Sequence, residues 1–211
     1  MRSLKAKKVL GVLSVMLVLL PAFIFAQEAS LLSYENEAMG VKISGASGWF
    51  MTTGDKVQQA LAKGVGELTS LDSIKEAVKK LGVLVTFSQY KFGSPVEYNP
   101  NVTLVSESLP AEYIKDVTEY ANASLMNIKA MFKDVKITED IKVVKLSGKD
   151  AAHFVYEGTV VRGYMEIRIK SSVYLWLKDS TGYTITCTDK ADNFAKNSVA
   201  FDATINTITL K

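Results

Sequence analysis

Between Phe132 and Val135 the period of this sequence changes. From Pro110 to Phe132, the residues Ile114, Val117, Ala121, Leu125, Ile128 and Phe132 recur at helical spacing and lay down one apolar stripe. From Val135 to Thr188, apolar and polar residues alternate with a period of two. A helix with a single stripe must bury it against a flat apolar surface, and a run of half-apolar strands makes such a surface. The expectation is an α+β domain, with helices layered on a central antiparallel sheet.

The strand-rich half divides at turn residues. Val135 to Leu146 reads as one strand, or as a pair bent at Thr138-Glu139-Asp140. Ala151–Gly158, Val160–Ile169, Val173–Leu177 and Tyr183–Thr188 follow, separated by turns that include Ser147-Gly148-Lys149-Asp150 and Asp179-Ser180-Thr181-Gly182. A three-residue loop, Lys170-Ser171-Ser172, is predicted to close a hairpin from Val161 to Lys178. That register pairs Ile169 with Val173, Ile167 with Leu175 and Met165 with Leu177 on one face. On the other it sets Arg168 opposite Tyr174 and Glu166 opposite Trp176.

Earlier in the chain, Tyr34 to Ser44 reads as a hairpin bent at Ala38-Met39-Gly40, and Gly45 to Gly48 as a turn. Asp55 to Lys63 reads as a short helix capped by Asp55. Thr69 to Leu81 reads as a second helix, with Leu71, Ile74, Val78 and Leu81 on one side. Val83–Tyr90 and Asn101–Glu107 read as strands. Pro110 suits the first turn of the long helix. Asp189 or Asp192 is predicted to cap a closing helix that buries Phe194, Phe201, Ile205 and Ile208.

The first 26 residues have the layout of an export signal. Arg2, Lys5, Lys7 and Lys8 precede an apolar run from Val9 to Phe25, Pro21 interrupts it, and Ala26 precedes the polar Gln27-Glu28. The competing reading is a retained anchor. A spanning helix needs about 20 apolar residues, and this run is slightly shorter and carries a proline. A bacterial lipid anchor would need a cysteine just after the signal, and the single cysteine is Cys187. The expected organisation is a leader at 1–26, a flexible lead-in at 27–33 and one domain at 34–211, acting in the periplasm or outside the cell. The full chain has 25 Lys+Arg against 22 Asp+Glu, and four of the bases lie in the leader. The remaining 185 residues therefore balance at 21 against 22, which gives no basic face for nucleic acid. One cysteine rules out an internal disulfide, so burial must supply the stability.

Candidate catalytic residues are few. His153 is the only histidine, and its neighbours Ala152, Phe154 and Val155 mark it as a hydrogen-bonded strand residue. Cys187 alternates with Tyr183 and Ile185 and reads as a buried, inert thiol. Zinc-type sites need several His or Cys ligands. Glu35 and Glu37 share a strand face in this reading, but no Asp-rich loop completes a calcium site, so they read as solvated edge charges. Asn101-Val-Thr103 and Asn122-Ala-Ser124 match the glycosylation pattern, the second in mid-helix.

Three short motifs carry a family resemblance. The first runs from Tyr34 through Gly40-Val41-Lys42-Ile43 to Gly48-Trp49. The second starts a strand at Gly148-Lys149-Asp150-Ala151-Ala152 and ends it at Tyr156-Glu157-Gly158. In the third, Gly182-Tyr183-Thr184-Ile185-Thr186 precedes a helix with Phe194 and Phe201. From Tyr34 to Leu210 the chain resembles the PsbP-like superfamily, which includes photosystem extrinsic subunits, Ran-binding Mog proteins and periplasmic DcrB proteins. The resemblance implies an α/β/α sandwich around an antiparallel sheet, and a binding or assembly role rather than catalysis.

The functional expectation is an exported, non-enzymatic and monomeric module with no cofactor and no metal, which binds a protein partner in the cell envelope. An exposed aromatic-basic patch of Arg162, Tyr164, Arg168, Tyr174 and Trp176 is the candidate partner surface, unless a helix covers that face. The alternative is a carrier for a small apolar ligand, in a pocket lined by Trp49, Phe87, Phe154 and Trp176. A hydrolase built on carboxylates is a third reading.

Overall fold

The computed structural model describes residues 32–57, 82–91, 93–109, 114–162 and 165–211. Among the described residues ten strands form two sheets. β1 (Ser33–Asn36), β2 (Val41–Ser44) and β10 (Thr209–Leu210) make a small sheet in the order β1-β2-β10. β3 (Phe50–Thr53), β4 (Gly82–Ser88), β5 (Asn101–Ser108), β6 (Lys133–Leu146), β7 (Lys149–Arg162), β8 (Met165–Lys178) and β9 (Thr181–Lys190) make a seven-stranded sheet. Its order is β3-β4-β5-β9-β8-β7-β6, and every neighbouring pair is antiparallel. Helix α1 (Val117–Met131) packs on one face, against β6, β7 and β8. Helix α2 (Phe194–Ile205) packs on the other, against β9 and β2, and the small sheet completes that layer. The domain is the α+β sandwich that the change of period predicts.

Two cores follow from the pleat. Phe154, Tyr156, Ile167, Ile169, Val173 and Leu175 meet Tyr120, Ala121, Ile128 and Phe132 beneath α1. Phe87, Leu104, Trp176, Tyr183, Ile185 and Cys187 meet Trp49, Phe201, Ile205 and the small sheet on the opposite face.

The hairpin expected around Lys170-Ser171-Ser172 does not exist, because β8 runs unbroken through it. Ser171 is fully buried and shares a 3.0 Å hydrogen bond with Thr188 Oγ1, and Ser172 Oγ lies 2.9 Å from His153 Nε2. Cross-strand partners satisfy both hydroxyls, so a polar pair sits mid-sheet at little cost. The aliphatic alternation survives, since Ile167, Ile169, Val173 and Leu175 share one face. The predicted cross-strand pairs do not form. Arg168 faces Thr159, and Tyr174 faces His153 on one side and Ile185 on the other. β7 likewise continues through Thr159, where a break was expected.

Helix boundaries also move. α1 begins at Val117, later than Pro110 suggests, because Asp116 is its cap. Asp116 Oδ1 accepts from the Thr118 and Glu119 amides at 2.8 and 2.9 Å, and Glu119 reaches back to the Lys115 amide at 2.8 Å. α2 begins at Phe194 after Asn193, which makes no side-chain capping bond. Asp189 ends in the sheet instead, where it accepts from Asn197 Nδ2 at 2.8 Å and the Lys190 amide at 2.6 Å. The β-branched tail beyond α2 leaves the helix and forms β10.

Other expectations hold. The β1–β2 hairpin turns at 37–40 with Gly40 at φ +66°. β4 and β5 match their predicted strands. β6 is a single strand whose register slips around Glu139, where a bend was expected. A helical turn starts at 54–57, so Asp55 lies inside it rather than capping it, and the remainder of the helix expected to Lys63, like the one read over Thr69–Leu81, falls outside the described residues.

Candidate functional site

The helix α2 lies over β9 and stops short of the β6 edge, which leaves a groove between its flank and strands β6 to β8. The groove has two recesses. One, of about 200 Å³, is lined by Glu139, Lys170, Ser172 and Asp202, with Phe194 and Phe201 behind them. The other, of about 430 Å³, is lined by Lys142, Lys145, Ser147 and Asn206 above Val144, Leu146, Ile205 and Ile208. His153 and Tyr174 line both.

The sheet register builds this centre. His153 on β7 pairs with Lys142 on β6 and Tyr174 on β8, so three polar side chains stand in a row across the strands. The His153 ring lies 4.3 Å from the Tyr174 ring, tilted by 38°. It is only 7% exposed, and burial holds its pKa below the usual histidine value. Lys142 adds to that shift and Glu139 opposes it. His153 is therefore a neutral, hydrogen-bonded strand residue at neutral pH, as its neighbours predict, and it also forms the groove floor. Burial raises the pKa of the Tyr174 hydroxyl. Glu139 Oε2 is 2.8 Å from Lys142 Nζ, and this contact, with the charge of Lys142, holds the carboxyl below its usual range.

The predicted partner patch is dispersed. Arg168 is exposed and ion-paired with Glu157, at the far end of β8. Tyr174 lies in the groove. Trp176 is 2% exposed and stacks on Tyr183 with centroids 5.1 Å apart. The layer made by α2 and the small sheet covers it, so it offers no surface. Tyr164 and the Arg162 side chain lie outside the described residues. The four aromatics proposed to line an apolar pocket do not meet either. Trp49, Phe87 and Trp176 belong to the core beneath α2, and Phe154 belongs to the one beneath α1.

Cys187 is buried and free, and burial pushes its thiol far above the ordinary value. Glu35 is ion-paired with Lys42 at 3.0 Å and Lys211 at 3.6 Å, while Glu37 sits in the turn and does not share its strand face. Asn122 Nδ2 donates to the Thr118 carbonyl at 2.9 Å along α1. Among the described residues no three His, Cys, Asp or Glu side chains are grouped to hold a metal ion, and no helix is long and apolar enough to cross a membrane.

Lys142, Ser147 and Asn206 are among the groove residues that sequence reading missed. They come from β6, the β6–β7 turn and the end of α2, and no local pattern joins them.

No family model and no curated sequence matches the chain. Among solved structures it is similar in fold to cyanobacterial PsbP (CyanoP) from Synechocystis sp. PCC 6803, at 12% identity and a TM-score of 0.49, over 91% of this chain and 99% of that one. The chain is also similar to LpqN of Mycobacterium tuberculosis, a protein involved in cell envelope biogenesis, at 7% identity and a TM-score of 0.49, over 81% and 83% of the two chains. A third similar structure is PA94 of Pseudomonas aeruginosa, a protein of unknown function, at 11% identity and a TM-score of 0.48, over 60% and 81%.

Proposed function

We propose that this protein is an exported, non-catalytic binding module of the cell envelope, which holds a segment of a partner protein along the groove beside α2. The observation that carries the reading is the groove itself. Its two recesses meet at His153 and Tyr174 and place hydroxyl, imidazole, ammonium and carboxylate groups over an apolar floor. Such a mixture suits a polypeptide segment, with apolar anchors below and polar contacts at the rim. A carrier for a wholly apolar ligand needs a more uniformly apolar lining. The basic and then apolar layout of the first 26 residues supports export.

Site-specific photocrosslinking in the native host tests the reading. A crosslinker at Lys142 or Asn206 is expected to trap one envelope protein, and the same group at Lys129, exposed on α1 across the sheet, is expected to trap none of it. Equal capture from both faces would sink the proposal.

A further inference from the structure

Among the described residues, one buried side-chain polar atom has no hydrogen-bond partner, the hydroxyl of Tyr98. Tyr98 comes from the loop between β4 and β5 and packs against the core beneath α1, across the sheet from the groove. The register sets polar side chains side by side on that face. Asn101 on β5 pairs with Thr188 on β9, Thr188 with Ser171 on β8, and Ser171 with Tyr156 on β7. Ser171 and Thr188 are fully buried and Tyr156 is nearly so. Burial pushes the Tyr98 hydroxyl far above its ordinary value, and the side chains of Asn101 and Thr188 stand near enough to pull it part of the way back. Both already hold other bonds. Thr188 Oγ1 shares one with Ser171 at 3.0 Å, Asn101 Nδ2 donates to the Asn99 carbonyl at 2.9 Å, and Asn101 Oδ1 accepts from Thr103 at 3.2 Å. A hydroxyl and an amide each have capacity beyond these.

A hydroxyl left dry and unpaired costs more than a typical hydrogen bond returns, and buried polar groups in native proteins are met by protein or by ordered water. We infer that this corner of the α1 layer is a binding site for one buried water molecule, which joins Tyr98 Oη to the side chains of Asn101 and Thr188. Three polar partners are the usual complement of such a water. The three groups are neutral, which argues against an ion. Asp189, the carboxylate that acts on Tyr98 through space, is turned towards α2, where Asn197 Nδ2 donates to one of its oxygens and the Lys190 amide to the other. The water ties the β4–β5 loop to β5 and β9 from inside the layer. The exposed ion pair of Glu97 with Lys190 ties the same loop from outside.

Two measurements on the protein purified from its native host test the site. The first is urea unfolding of Tyr98→Phe, which keeps the ring and removes the hydroxyl. If a water bridges the three groups, the variant loses a hydrogen bond and its unfolding equilibrium constant should rise about two- to tenfold. A dry hydroxyl predicts the opposite sign, because phenylalanine relieves the unpaired group. A variant as stable as the parent, or more stable, overturns the proposal. The second is a crystal structure of the parent at a resolution that shows ordered water. It should place one water within hydrogen-bond distance of Tyr98 Oη, Asn101 and Thr188. A direct bond from Tyr98 to Asn101 or Thr188 would also weaken the variant, and the crystal structure separates that case from the bridge. Direct bonding, an empty corner, or an ion in place of the water each overturn the assignment.

Discussion

Replacing Glu107 by glutamine should make the protein more stable at alkaline pH and leave it nearly unchanged in acid. Glu107 lies on β5 and is 7% exposed. Tyr120 of α1 donates its hydroxyl to Glu107 Oε1 at 2.6 Å and shares a 2.9 Å hydrogen bond with Thr184 Oγ1 on β9. The Tyr120 ring lies so close to Gly182 that a Cβ there would come within 2.6 Å of it. Burial pushes the Glu107 carboxyl up from 4.5 to about 7, and the Tyr120 hydrogen bond only partly opposes the shift. Below pH 4.5 the carboxyl is protonated whether the chain is folded or not, and the difference contributes nothing. Between pH 4.5 and 7 the native state keeps a proton that the unfolded chain releases, so stability falls as pH rises. Above pH 7 both states are ionised and the full cost is in place. A rise of about 2.5 units corresponds to about 3 kcal/mol. Glutamine keeps an acceptor for Tyr120 and removes the charge.

The assay is urea unfolding followed by tryptophan fluorescence at a series of pH values from 4 to 8.5, with the parent curve subtracted from that of Glu107→Gln. Subtraction cancels His153, Glu139 and the other groups that titrate in both proteins. The difference should be near zero at pH 4, climb through neutrality and level off at up to about 3 kcal/mol at pH 8.5. A flat difference, or one that falls as pH rises, would refute the account of Glu107 as a buried carboxyl that titrates near neutrality.

Other outcomes follow from burial. Trp176→Ser should cost about 3–5 kcal/mol of unfolding free energy, because it empties a core site stacked on Tyr183, whereas Tyr174→Ser at the groove should cost clearly less. Equal losses in denaturant unfolding would mean that Tyr174 is also core. The imidazole NMR titration of His153 should have its midpoint below 6.5. Its contribution to stability is fully present above pH 6.5 and declines as pH falls towards the depressed native value, because the unfolded chain takes up the proton first. The Cys187 thiol should react slowly with a thiol reagent in the native protein and rapidly after denaturation, and fast native labelling would contradict its place in the core.

Much of the architecture was legible in the sequence because it rests on local period. The stripe of α1, the β1–β2 hairpin with Gly40, and strands β4 and β5 each announce themselves within a few residues. The Asp116-Val-Thr-Glu119 capping pattern was also readable, and it places the start of α1 better than Pro110 does. The course of β8 was not. A Ser-Ser pair reads as a turn until Thr188 and His153 arrive from other strands to satisfy it, and neither is near in sequence. The burial of Trp176 is likewise decided by which layer α2 and the small sheet cover. The groove is the least legible part, since His153 and Tyr174 are set side by side only by the β7–β8 register.

The β6 edge has a consequence for assembly. This strand is 14 residues long, and its register with β7 slips between Lys133 and Lys136, between Ile137 and Glu139, and again between Glu139 and Lys142. A straight strand arriving from another molecule would find donors and acceptors drifting out of step along its length. Zipping up backbone to backbone is thereby frustrated, although among the described residues no strand pairs with this edge. In a crowded compartment the sheet can stay uncapped without templating its own copies, and whatever associates with this side must be gripped by side chains.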